Sequence, residues 1–253
     1  MMKIGLLFLT SLFFSTLFAQ DSASNVIITA PVTMKMPKSG VDLVNRPGDH
    51  LMIQVAYNGW TPMPDSISSH QSGISRGLNI YLMTDKPFKG NPHYSIGLGI
   101  GVGSSNIFFK RAMVDVKSAN TKLPFTKLDS SNHFKKYKVS ESFLEVPFEF
   151  RYSSHPETPA KSFKLAVGFK AGTLINVHTK GKDLQDKNNN TVNSYTEKQS
   201  SKKFFNSTRF AGTLRVGYGI LSLYGSYGLN NVLKDAAGAP FKLYEIGINL
   251  SGL

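Results

Sequence analysis

The sequence predicts an all-β fold: a small antiparallel transmembrane β-barrel of about eight strands, closed as an up-and-down meander. Three observations predict it. Apolar and polar residues alternate over segments long enough to span a membrane, which takes roughly 9–11 residues in a tilted strand. The connections between these segments alternate between long and short, and the N-terminus has the composition of an export signal.

The clearest alternation lies between residues 144 and 152. Large apolar side chains share one face of this segment: Leu144, Val146, Phe148, Phe150 and Tyr152. The other face carries Glu145, Pro147, Glu149 and Arg151. A soluble sandwich would also have an apolar and a polar face. Charges interleaved with five large apolar residues are better explained by lipid outside and a polar lumen inside.

A second stripe runs along the odd-numbered residues from Phe163 to Val177. These 15 residues exceed the roughly 5–6 that are typical of a soluble strand. A third stripe is formed by Ile96, Leu98, Ile100 and Val102. Fainter alternation marks five further strands, at residues 51–57, 78–82, 210–218, 221–229 and 244–250.

Glycine occupies every second position between the residues of the third stripe, at 97, 99, 101 and 103. A dinucleotide-binding loop has the spacing G-x-G-x-x-G and opens a helix, and that spacing does not occur here. Glycine on the inner face of a strand leaves room for large side chains from other strands. We therefore expect these glycines to line the lumen.

The connections suggest an orientation in the membrane. Residues 59–72, 111–135 and 179–202 form long connections, whereas 85–93, 153–162 and the turn near Gly219 are short. The last connection, 230–240, is intermediate. Outer-membrane barrels have long extracellular loops and short periplasmic turns. The long connections are thus predicted to lie outside the cell.

The N-terminus is typical of a secretory signal peptide. Lys3 supplies a positive charge, an apolar run extends from Ile4 to Phe18, and Ala19 precedes the predicted cleavage point. The run is shorter than the roughly 20 residues of a spanning helix. The predicted organisation is a signal peptide at 1–19, a periplasmic leader at 20–49 and an outer-membrane barrel domain at 50–253.

Composition narrows the classes of function. The chain contains no cysteine, which excludes disulfides, thiolate metal sites, cysteine nucleophiles and a lipoprotein anchor. The net charge of +13 would suit nucleic-acid binding, but an exported protein would not meet the chromosome, so we expect no nucleic-acid partner. Lysines cluster in the predicted loops, either as a basic rim beside anionic lipid headgroups or as solvated surface.

No catalytic, cofactor-binding or metal-binding residue is predicted. The six histidines show no H-E-x-x-H spacing and no cluster with acidic residues at metal-ligand intervals. His93 and Ser95 lie two residues apart, as do the His and Ser of small outer-membrane lipid A deacylases. A turn histidine beside a strand serine is the alternative interpretation.

The candidate site is a network of charges on the predicted lumen face: Glu145, Glu149, Arg151, Lys164, Lys170, Arg209, Arg215 and Glu245. The interior of an eight-stranded barrel is just wide enough for side chains, so these charges must be paired or hydrated. We expect Glu149 to pair with Lys164 or Lys170. Five bases against three acids predict an excess of positive charge, met by water, by the rim or by an anionic partner, unless the network is simply a structural plug.

Three segments resemble the PorT-like outer-membrane β-barrel proteins of Bacteroidetes: Asp49–Trp60, Arg76–Tyr81 and Leu144–Tyr152. The resemblance extends over most of the chain after residue 48. It implies a location in the outer membrane and, through the member that names the family, a link to type IX protein secretion. Because the matching motifs are strand patterns, the resemblance implies more about fold than about function.

Two functional hypotheses remain from the sequence. One is a non-enzymatic barrel, surrounded by outer-membrane lipid, that serves the cell envelope as a structural or partner-binding component and contacts envelope or secretion proteins through its long loops. The other is a lipid-modifying outer-membrane enzyme with a site near the outer rim.

Overall fold

A computed structural model describes residues 50–252 of the chain. The predicted signal peptide at 1–19 and the leader at 20–49 lie outside the described residues. Eleven strands occur within the described part: β1 (Leu51–Thr61), β2 (Arg76–Phe88), β3 (Asn91–Phe109), β4 (Ala112–Val114), β5 (Phe125–Lys127), β6 (His133–Ser153), β7 (Phe163–Gln185), β8 (Thr191–Ser200), β9 (Thr208–Tyr218), β10 (Leu221–Gly228) and β11 (Lys242–Ser251). A four-residue helix, α1 (Asp65–Ser68), and a 3-10 turn, Pro159–Lys161, lie in the connections.

Eight of these strands close into an antiparallel barrel. Their order around the barrel is β1, β2, β3, β6, β7, β9, β10 and β11, so each strand pairs with its neighbours along the meander. The pairing of β1 with β11 joins the two ends, and Tyr57 lies opposite Ile246 there. This architecture confirms the predicted fold class. β8 pairs only with the upper part of β7, and β4 pairs with β5 as a small separate hairpin.

Large apolar side chains cover the outside of the barrel on all eight strands. Leu223 is 71% exposed, Ile246 65% and Val55 57%. A soluble monomer rarely exposes a continuous apolar surface larger than a few hundred Å². A belt around the whole circumference therefore fits a barrel wall in contact with lipid. Among residues 50–252, none of the helices is long and apolar enough to cross a membrane.

The glycines of β3 lie on the lumen face, as predicted. A Cβ atom on Gly103 would stand 2.6 Å from Oε2 of Glu145, and one on Gly97 would stand 2.6 Å from the guanidinium carbon of Arg151. Any larger residue at these positions would collide with those charged groups. Glycine thus provides the space in which the lumen side chains fit.

A β-bulge lies in β7 on the side of the long connections, and beyond it the side chains alternate in the opposite sense. Ser142 pairs with Asn176 and Phe143 with Leu174, so Ile175 has no partner on β6. Side chains beyond an extra residue of this kind point to the opposite face. Val177 is consequently fully buried inside the barrel, and its prediction as part of the outward stripe was wrong.

The long connections lie at one rim of the barrel and the short connections at the other. Residues 62–75, 110–132, 186–207 and 229–241 connect strands at one rim, whereas 89–90, 154–162 and 219–220 connect them at the other. The alternation is as predicted. The predicted loop at 179–202 is instead largely a hairpin of β7 and β8 that continues above the barrel wall. Its polar residues on both faces gave no apolar period, which is why the sequence did not reveal the strands.

Candidate functional site

The lumen contains a layer of charged side chains contributed mainly by β6, β7, β9 and β11. Seven of the eight predicted network residues are buried there: Glu145, Glu149, Arg151, Lys170, Arg209, Arg215 and Glu245. Lys164 differs from the others because it is only partly buried and pairs with Ser153 near the rim of the short connections.

The centre of the layer is a ring of two acids and two bases. Glu245 lies 2.8 Å from Nζ of Lys170 and 3.1 Å from a guanidinium nitrogen of Arg209. Glu145 contacts the same two bases at 3.4 Å and 3.1 Å. All four side chains are 6% exposed or less. Since an unpaired charge buried to this degree would cost several kcal/mol or more, the ring satisfies its own charges.

Two tyrosines add hydrogen bonds to the ring. The Tyr81 hydroxyl donates to Glu145, and the Tyr224 hydroxyl donates to Glu245 at 2.8 Å. The Asn79 amide also donates to Glu245, at 3.5 Å. These residues were not predicted from the sequence as part of the site. They alternate with the outward apolar residues of β2 and β10, and this alternation could have identified them as lumen-facing.

A second cluster lies nearer the rim of the short connections. Glu149 accepts hydrogen bonds from Arg151 and Arg215, each at 2.8 Å. Arg151 also reaches Asp85 at 3.4 Å. The expected pairing of Glu149 with Lys164 or Lys170 was wrong. Glu149 faces Gly168 on β7, whereas Lys170 faces Pro147 and therefore belongs to the central ring.

Two further acids, Asp85 and Glu141, lie inside the barrel beside the three predicted ones. Any excess of positive charge is therefore smaller than five bases against three acids predicted. Asp85 lay in a segment predicted as a connection, and Glu141 lay beyond the predicted limit of its strand. Glu141 and Arg209 line a cavity of about 20 Å³ between the charged layer and the long connections. That volume is enough for one water molecule.

An apolar cluster fills the barrel mouth on the side of the long connections. We call the four connections (62–75, 110–132, 186–207 and 229–241) the cap, and their shared cluster the cap core. The buried members of the cap core come from the strand ends and from the connections: Trp60, Ile107, Phe109, Ala112, Val114, Val116, Leu123, Phe134, Tyr137, Val139, Phe143, Leu174, Val177, Phe204, Phe205, Leu233, Ala237, Phe241 and Leu243. Met63 and Ile67 bring the first connection into contact with it. This cluster was not predicted from the sequence.

Directed contacts fix the cap connections to one another. Trp60 stacks on Phe241, with ring centroids 5.7 Å apart and planes 9° from parallel. Nζ of Lys203 donates to the backbone carbonyls of residues 118, 119 and 120 at 2.9 to 3.0 Å. The Asn206 amide donates to the carbonyls of residues 231 and 233. These contacts make the cap a defined surface rather than a set of independent loops.

The tip of the β7–β8 hairpin is a turn held by Asp186. Its carboxylate accepts hydrogen bonds from the backbone N–H groups of Asn190 at 2.8 Å and Asn188 at 2.9 Å. These bonds, of which the one from Asn190 has the largest effect, hold the pKa of this carboxyl below its usual value. The turn is thus ordered although it is exposed.

The His93–Ser95 pair is not assembled as a catalytic unit. Nδ1 of His93 lies 2.9 Å from the carbonyl of Ser153, and its ring stacks on Tyr152. The Ser95 hydroxyl donates to Asp85 at 2.7 Å. Residues 50–252 contain no cluster of three or more His, Asp or Glu side chains that could hold a metal ion.

Comparison with known families agrees with this geometry. A family described as an outer membrane protein beta-barrel domain matches residues 40–234, a range that includes seven of the eight barrel strands. The chain belongs to this family. No curated protein matches the chain. Membership of this outer-membrane family, together with the closed eight-stranded barrel, places the protein in the outer membrane.

The orientation of this family member can be tested with protease. Trypsin added to intact cells is expected to cleave at Lys187 in the exposed turn of the β7–β8 hairpin and to spare Lys161 in a short connection, because long connections are extracellular in such barrels. Permeabilised cells provide the control, since both lysines should then be accessible. Cleavage of intact cells at Lys161 but not at Lys187 would show the opposite orientation. Peptide mass spectrometry identifies the cut sites.

Proposed function

We propose that this family member is a non-enzymatic outer-membrane protein that binds a protein partner of the cell envelope through the outer surface of its cap. The observation that supports this most is the cap core, in which all four long connections share one apolar cluster. A surface ordered before binding loses less conformational entropy when a partner docks. The cap therefore has the property expected of a preorganised binding surface.

The filled lumen supports an anchoring role over a transport role. Side chains of the central ring, Glu145, Lys170 and Glu245, are 2% exposed or less. The cap core then fills the mouth above them. Side chains and ion pairs occupy the volume that a solute would have to cross, so the barrel holds the cap at the membrane surface.

We further propose that the partner belongs to a protein secretion apparatus, as the resemblance to the PorT-like proteins implies through the member that names them. This part of the proposal depends on the resemblance of three segments. Their described residues lie mainly on β1, β2 and β6, which belong to four consecutive strands of the barrel wall, β1, β2, β3 and β6. The resemblance thus concerns one continuous side of the barrel, and a secretome comparison between parent and deletion strains would test the link.

Site-specific photocrosslinking in living cells tests the partner-binding role. A photoreactive residue at Lys122 or Val192, both exposed in the cap, is expected to give a discrete adduct with an envelope protein. The same residue at Leu223, on the lipid-facing wall, is the control and should give none. Equal labelling at Leu223 and at the cap, or no adduct from the cap, would contradict the proposal.

The second candidate is a lipid-modifying enzyme near the outer rim. His93 and Ser95 lie near the opposite rim and contact different groups, which disfavours this candidate. Mass analysis of lipid A from a deletion strain distinguishes the two functions. An unchanged lipid A mass is expected if the protein binds a partner, whereas a shifted mass that the parent gene restores would favour the enzyme.

A further inference from the structure

A row of lysines crosses three neighbouring strands, β6, β7 and β8, on the outward face of the sheet. Lys138 on β6 lies directly opposite Lys180 on β7, and Lys180 lies directly opposite Lys198 on β8. We call these three residues the lysine row. Like charges opposed across a sheet are destabilising, so the row has a cost that the fold itself does not require. Lys136 and Lys182 form a second opposed pair one row further from the barrel.

The lysine row has no internal counter-charge. Among residues 50–252, no acidic group forms an ion pair with any of its three ammonium groups. Glu197 is the neighbour of Lys198 in the chain, but it lies opposite Gly181, whose Cβ position points at Phe134 on the inner face. Glu197 therefore lies on the other side of the sheet from the row. The outer surface of the row is left with an uncompensated positive charge.

One member of the row is held in place. Nζ of Lys138 donates to Oδ1 of Asn106 at 2.6 Å and lies 5.9 Å from the centre of the Phe108 ring. Arg76 lies 5.8 Å from the same ring. A second cation is thereby brought beside the row from β2. Side chains fixed in this way lose little freedom when they bind an anion.

The level of the row identifies the anion. On β6 itself the outward apolar side chains end at Leu144, six residues from Lys138 along the strand. On the neighbouring strand, however, the outward ring of Phe108 lies directly opposite Lys138. Ile74, whose carbonyl accepts a hydrogen bond from Arg76, is 67% exposed. Apolar side chains therefore reach the level of the row beside its cations, which is the pairing expected at the interface of the leaflet that surrounds the cap.

We propose that the lysine row, with Arg76 beside it, binds the phosphate groups of a glycolipid in the outer leaflet. A lipid of the surrounding leaflet holds its phosphates close to the row, and their negative charge would offset the repulsion between the three lysines. The bound glycolipid would surround the base of the cap on the β6–β8 side. Free inorganic phosphate offers the same chemistry, and the experiment separates the two sources.

Native mass spectrometry of the full chain, refolded in a neutral detergent, tests this site. The probe is bisphosphorylated lipid A, compared with the same lipid after removal of both phosphates. The variant carries Lys138→Ser, Lys180→Ser and Lys198→Ser. The matched control carries Lys86→Ser, Lys89→Ser and Lys161→Ser, which removes the same charge from exposed residues at the opposite rim.

We expect the row variant to bind bisphosphorylated lipid A at least about tenfold more weakly than the parent, because each lost lysine removes attraction to an anionic lipid surface. The control should stay within about twofold, a change too small to indicate a lost site. Without lipid, the row variant should keep its folded mobility on unboiled gels, since the substitutions remove repulsion.

Three results would overturn the proposal. One is equal binding of lipid A with and without its phosphates. Another is an equal loss of binding in the row variant and the control. The third is displacement of the lipid by inorganic phosphate at concentrations comparable to those of the lipid, which would show that the row is a site for small anions.

Discussion

Phe148→Arg is expected to prevent most of the protein from inserting into the outer membrane. Phe148 lies on the outward face of β6, opposite Leu98 and stacked on Phe169 with ring centroids 5.3 Å apart. Both neighbours belong to the lipid-facing belt. An arginine near the bilayer midplane costs about 2–4 kcal/mol in a transmembrane barrel. The lost stacking adds to that cost.

Heat-modifiable mobility of membrane fractions measures this outcome, because a folded barrel migrates differently from a boiled one. Thr191→Arg is the matched control: it adds the same charge to an exposed position of β8, opposite the neutral Gln185 and above the membrane. The control should insert like the parent. If Phe148→Arg also inserted normally, this segment of β6 would not face lipid, and the assignment of the two barrel faces would be wrong.

Glu245→Gln is expected to destabilise the folded barrel by about 3–5 kcal/mol, the usual cost of removing one partner from a buried ion pair. Glu245 neutralises both Lys170 and Arg209, and glutamine keeps the shape of the side chain without its charge. Glu145 would remain as the only acid in contact with two buried bases. The Tyr224 hydroxyl would also lose its charged acceptor.

The temperature at which the folded gel band disappears reports this loss. Glu157→Gln, at an exposed position in a short connection, is the control and should change stability by no more than about 0.5 kcal/mol. Adding Lys170→Met to Glu245→Gln is expected to restore part of the loss, because it leaves one base, Arg209, for the one remaining acid, Glu145. A Glu245→Gln protein as stable as the parent would mean that water, rather than ion pairing, satisfies the lumen charges.

The sequence by itself determined the barrel and its two faces. Lipid requires apolar side chains at every second position of a spanning strand, whereas the lumen accepts polar ones. The local pattern therefore shows which side chains face lipid and which face the lumen. Val146 and Glu145 could therefore be assigned to opposite faces without a structure. The glycines of β3 were placed on the lumen face by the same argument.

Only the tertiary structure decided which charges pair and how the mouth is filled. Glu149 contacts Arg215 from a strand that is not its neighbour, a contact set by the curvature of the closed barrel rather than by local spacing. Val177 turns inward because one unpaired residue on β7 shifts the register. Phe204 and Phe241 lie in connections without any apolar period, and they meet in the cap core because closure of the barrel brings its long connections over one opening. Such contacts depend on the arrangement of all the strands, which no local pattern contains.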